Sequence, residues 1–63
     1  MIANEIVEKL KATTYKFTYA QTVKDTVKKM DEPERAKLLS ELRRELSNPK
    51  NVDIHKPLRE ILN

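Results

Sequence analysis

Tyr15-Lys16-Phe17-Thr18-Tyr19-Ala20-Gln21 is the stretch that decides the fold, and two periodicities compete in it. From Tyr15 to Tyr19 large apolar and polar residues alternate, the pattern of a half-buried strand. A lone strand needs a partner and would find one in a second copy of the chain, giving a ribbon-helix-helix-like dimer. Thr18-Tyr19-Ala20-Gln21, in contrast, has the form of a capping box, in which the threonine hydroxyl takes a backbone N–H and the glutamine reaches back. Ala20, Val23, Val27 and Met30 follow at helical spacing. The helix is therefore the stronger reading, and its start is predicted at Thr18. Lys24, Asp25, Lys28 and Lys29 then fall on its outer side, with Asp25 four residues before Lys29, the favourable order for a surface pair.

Upstream, Ile2, Ala3, Ile6, Val7 and Leu10 form one stripe, which predicts a helix over Ala3–Ala12. The β-branched pair Thr13-Thr14 ends it. Downstream, Asp31-Glu32-Pro33-Glu34 is a strong helix start: a cap, a first-turn proline, and acids at the positive end of the dipole. Leu38, Leu39, Leu42 and Leu46 give that helix its apolar stripe, and Ser47–Asn51 reads as a loop because Pro49 stops the helix. A short fourth helix places Ile54, Leu58, Ile61 and Leu62 inward. Asp53 is its expected cap, with a start near Pro57 as the alternative. Phe17-Thr18 and Val52-Asp53 occupy matching places, each followed by an aliphatic residue (Val23, Leu58) at the same interval. The chain thus reads as two helical hairpins.

Sixty-three residues make a single domain, 1–63, with 38% hydrophobic residues and no cysteine. Disulfides, thiolate metal sites and cysteine nucleophiles are excluded. So small a core has a thin stability margin, and a homodimer is one way to complete it. The chain also has no glycine. That rules out phosphate-cradling glycine loops and dinucleotide fingerprints, and it denies helices their usual left-handed glycine stop. The expected fold is all-α: a small bundle of three to four short helices. Met1–Glu5 has no basic segment and the apolar run behind it is broken by Glu8 and Lys9, so no signal peptide is expected. No run approaches the roughly 20 apolar residues of a membrane span. The expected location is cytoplasmic.

Candidate chemistry is sparse. His55 is the only histidine; Asp53, two residues away, faces elsewhere on a helix, and one histidine without cysteines does not build a metal site. Glu41 and Glu45 sit among Lys37, Arg43 and Arg44 as an ordinary charged helix face does. Ser40 and Ser47 have no histidine at nucleophile spacing. No enzyme, cofactor or metal is expected. The net charge of +3 fits a surface that meets nucleic acid or an acidic protein, and a solvated helical surface more commonly. In a DNA-binding, helix-turn-helix-like reading, Gln21 and Thr22 would face base edges while Lys16, Lys24 and Lys28 meet phosphates. Tyr15, Phe17 and Tyr19 are all the aromatics of the chain, gathered within five residues. They are either the plug of the corner between the first two helices or the anchors of an interface.

Glu5-Ile6-Val7-Glu8-Lys9-Leu10-Lys11, Tyr15-Lys16-Phe17-Thr18, Val23 and Val27 together resemble the C-terminal part of flagellar anti-sigma factors, where a helix, a Tyr-Lys-Val-Asp-like break and a second helix bind a sigma subunit. Thr14 stands where that family has glycine, and Thr18 where it has aspartate. The resemblance implies sequestration of a transcription factor by amphipathic helices. The function expected from the sequence is accordingly non-enzymatic binding of another protein by a small regulator or adaptor, with a small basic DNA-binding transcriptional regulator as the alternative.

Overall fold

The computed structural model describes residues 2–63. Four α-helices and one 3-10 helix follow one another: α1 (Ala3–Ala12), α2 (Lys16–Lys28), α3 (Glu32–Leu46), the 3-10 helix Pro49–Ile54, and α4 (His55–Leu62). Among the described residues there is no strand. The alternation over Tyr15–Tyr19 belongs instead to a turn and the first turn of α2, so a ribbon has nothing to form from.

The core is wholly aliphatic. Ile6, Val7 and Leu10 of α1 meet Ala20, Val23 and Val27 of α2, Leu38 and Leu42 of α3, and Ile54, Leu58 and Ile61 from the C-terminal end of the chain. Tyr19, Met30, Leu39, Leu46 and Leu62 cover its edges, half-buried. Burying apolar surface at roughly 25 cal/mol per Å2 makes this interior the main favourable term of folding. α1 packs on α2 and α3 on α4, as two hairpins should, and the largest interface between helices is α2 against α4. Val23 and Leu58, the matching aliphatic positions of the two hairpins, are both buried. Ile2 leaves its expected stripe: it precedes α1 and is 56% exposed.

With no glycine to reverse the backbone, no described residue has positive φ. At the ends of α1, α2 and α3 a side chain three to six residues downstream donates back to the backbone instead. Lys16 Nζ donates to the carbonyls of Leu10, Lys11 and Thr13 at the end of α1. Arg35 Nη1 donates to Met30, just past α2, and Asn51 Nδ2 to Glu45 in the last turn of α3. Carbonyls at a helix end otherwise need water or a left-handed cap; the Glu45 carbonyl also accepts from the Asn48 N–H at 3.2 Å.

This corrects the predicted start of the second helix. α2 begins at Lys16 and not at Thr18, because a helical Lys16 reaches back to α1. Thr18 then lies inside the helix, where it cannot cap, and the Thr18–Gln21 box does not form; the Thr18 carbonyl instead accepts from the Thr22 hydroxyl. Thr13 Oγ1 takes the Tyr15 N–H and shapes the turn. Asp31 does stand at the cap position of α3, although its carboxylate makes no capping bond. Asp53 is not a cap: it lies within the 3-10 helix, whose cap is Asn48, accepting from the Lys50 N–H at 3.0 Å. The predicted loop at 47–51 is therefore mostly helical. α4 starts at His55, between the two predicted positions, and Pro57 falls in its first turn, where a missing N–H costs nothing.

Candidate functional site

The turn between α1 and α2 separates three consecutive side chains. Tyr15 is 73% exposed and Phe17 56% exposed, while Lys16 between them is half-buried. An ammonium has three N–H donors, and Lys16 has three carbonyl acceptors, at 2.7 Å (Leu10), 3.0 Å (Thr13) and 3.2 Å (Lys11). Held there, Lys16 fixes the first turn of α2 and with it the outward direction of its two aromatic neighbours. The corner is thus plugged by a lysine, and two of the three aromatics are left outside.

Tyr19 is the exception. It packs half-buried against the core, and burial, with a smaller contribution from the Glu5 carboxylate, pushes its phenol above the ordinary tyrosine value.

The residues assigned to nucleic acid share α2 but not one condition. Gln21, Lys24 and Lys28 lie on the stripe that Phe17 opens, at four- and three-residue steps. Gln21 Nε2 donates to Asp25 Oδ1 at 3.3 Å, and Lys24 Nζ lies 3.8 Å from Glu60 Oε1 on α4. Thr22 is exposed, its hydroxyl bonded back to Thr18. Lys28 is exposed with no side-chain contact of this kind. The two lysines nearest the aromatics, Lys16 and Lys24, are engaged within the protein.

Sequence reasoning places Lys50 in a second basic area with Arg43, Arg44, Lys56 and Arg59, and misses Lys11 and Val52. Lys11 and Lys50 meet at the same end of the molecule, Lys11 Nζ donating to the Lys50 carbonyl at 3.0 Å. Val52, two residues further on, is 69% exposed. Phe17 and Val52 were paired by the internal repeat, and both prove to point outward. That pairing was the signal available for Val52.

Elsewhere the surface offers little chemistry. His55 is half-buried at the start of α4, and its Nε2 is buried with no hydrogen-bond partner among the described residues. No group of three or more metal-ligating side chains comes together among the described residues. One shallow depression is lined by Ile2, Met30, Glu34, Lys37, Leu38 and Glu41, and another by Glu5, Glu8, Lys9 and Ala12. Neither contains His55 or an aromatic. No helix among the described residues is long and apolar enough to cross a membrane. No family model matches the chain, and no curated protein or solved structure matches it. The resemblance to flagellar anti-sigma factors rests on the quoted residues alone.

Proposed function

We propose that this chain is a non-enzymatic binding protein, a small regulator or adaptor, that engages another protein through Tyr15 and Phe17. The observation that carries this reading is their exposure beside a core built without aromatics. A single exposed apolar residue is ordinary. Two of three aromatics exposed within three residues of each other, on a turn locked by Lys16, form a preset anchor pair. Aromatics of this kind dominate the energy of protein interfaces, and a rigid support lowers the entropy lost on binding. Leaving Phe17 outside forgoes roughly 1 kcal/mol or more of burial in a domain whose whole margin is small.

The alternative, DNA binding by α2, is less well supported. Of its five proposed contacts, Lys16 is saturated by carbonyls and Lys24 faces Glu60. Phosphate contacts need free cations.

Site-specific photo-crosslinking tests the choice. A photoreactive phenylalanine analogue at Tyr15, in cells that make the protein, should give protein adducts that are absent when the same group replaces exposed Ser40 on α3. Nuclease-sensitive adducts, adducts of the chain with itself alone, or equal labelling from Ser40 would contradict the proposal.

A further inference from the structure

We infer that the surface around Tyr15 takes an acidic protein segment carrying apolar anchors, a conclusion that rests on the protein-binding role of the aromatics proposed above. From Lys9 through Lys24 the chain contains no acidic residue, yet it holds four lysines and every aromatic. Leu46 through Val52 is likewise free of acid and contains Lys50. The fold joins these two stretches. Lys50 offers its carbonyl to Lys11 Nζ, and Lys11 offers its own carbonyl to Lys16 Nζ. Three ammonium-bearing residues thus follow one another across the end of the bundle, with Tyr15 and Phe17 flanking the last and Val52 just beyond the first.

No carboxylate balances them. The one ion pair among the described residues is Lys24–Glu60, on α2 and α4. Glu8, Asp25, Glu45 and Asp53 bound the two stretches in sequence, and none lies within ion-pair distance of Lys11, Lys16 or Lys50. Carbonyl partners satisfy hydrogen bonds without cancelling charge, so the field at this end is positive. Screening acts over about 10 Å at ordinary ionic strength, and Lys16, next to Tyr15 in the chain, lies well inside that range. Apolar anchors set among cations select a partner with the inverse arrangement: Asp and Glu around Leu or Phe.

Single-stranded nucleic acid could also use aromatics between lysines. Here it is disfavoured because Lys16, the cation between the two aromatics, has every N–H donor committed to backbone.

The test is an NMR titration of the unaltered chain with three probes: a synthetic peptide of Asp, Glu, Leu and Phe; its twin with Lys in place of every acid; and oligothymidylate. The expected result is that the acidic peptide shifts the resonances of Tyr15, Phe17, Lys11 and Lys50, with the twin at least about tenfold weaker. Lys11→Glu with Lys50→Glu should weaken the acidic peptide by about tenfold or more, and Tyr15→Ala with Phe17→Ala by a similar factor. Equal binding of both peptides, still lost with the aromatic pair, overturns the acidic partner but leaves the protein-binding role intact. Binding of oligothymidylate alone overturns both. No shift at these residues with either peptide overturns the acidic partner. The comparison of peptides uses the unaltered chain, so it decides the matter even where a variant fails to fold.

Discussion

Lys16 Nζ lies 2.7 Å from the carbonyl oxygen of Leu10, six residues before it in the chain and on a different helix. That contact makes α2 the cap of α1. A lysine at the start of a helix is placed against its own helix dipole, but Lys16 answers the negative end of the preceding one. Arg35 and Asn51 stand in the same relation to Met30 and Glu45. A chain without glycine thereby ends its helices without a left-handed residue, and the polar side chains at each junction become structural.

Asn51 is the most committed of the three, being only 2% exposed. Asn51→Ala should destabilise the fold by about 0.5–1.5 kcal/mol, the net worth of one hydrogen bond, because the Glu45 carbonyl keeps its bond from the Asn48 N–H. Asn51→Asp keeps the shape but sets a carboxylate against the Glu45 carbonyl, so its loss at neutral pH should be larger. That deficit should shrink as the pH falls, since a protonated carboxyl can donate again. Urea denaturation of both variants at neutral and acidic pH checks the ordering.

Leu42 is fully buried at the centre of α3, whereas Leu39, on the same helix, is half-buried. Leu42→Ala should cost about 2–5 kcal/mol. A domain of this size has a total stability of roughly 3–9 kcal/mol, so the variant sits near unfolding. Leu39→Ala should cost clearly less. Thermal melts by circular dichroism separate the two.

The stripes that built this core were legible in the sequence because 3.6-residue periodicity survives whatever the caps do. Ile6 and Leu10, Val23 and Val27, Leu38 and Leu42 all lie where their spacing put them. The helix starts were less legible. Thr18–Gln21 matches a capping box in composition, but a contact from Lys16 to the preceding helix overrides it, and no local motif announces a cap that crosses a turn. The 3-10 helix has a visible signal in Asn48-Pro49, a cap residue before a first-turn proline, but the same proline also reads as a helix stop and hence as loop. Lys16 reads as a surface cation from its type; only the fold shows that it is a plug and that Tyr15 is not.

His55 is the one described residue with a buried, unpartnered side-chain nitrogen. Removing an unsatisfied polar atom removes its desolvation penalty. His55→Leu should therefore raise stability, by about 1 kcal/mol. A loss of that size in chemical denaturation would show that the imidazole contributes to the fold and carries no net penalty.

Tyr19 links stability to alkaline pH. Its phenol is raised above the ordinary value of 10.0, chiefly by burial and secondarily by Glu5. The fold thus favours the neutral form. Its contribution is fully present below the ordinary phenol range and is lost as the pH climbs through the raised value. Tyr19→Phe should flatten the alkaline decline of the melting temperature while leaving the neutral-pH melt nearly unchanged.

Labour divides among three adjacent residues: Lys16 holds the fold, whereas Tyr15 and Phe17 stand outside it. Thermal denaturation of Lys16→Met beside the Tyr15→Ala, Phe17→Ala double variant tests this division directly. Lys16→Met keeps the apolar stem and removes the ammonium, and should cost about 1–2 kcal/mol after allowance for solvent at the half-buried site. The double variant should melt within about 0.5 kcal/mol of the parent, as exposed substitutions do. A double variant that loses 2 kcal/mol or more on the same scale, with Lys16→Met unchanged, would place the aromatics in the fold and contradict the account.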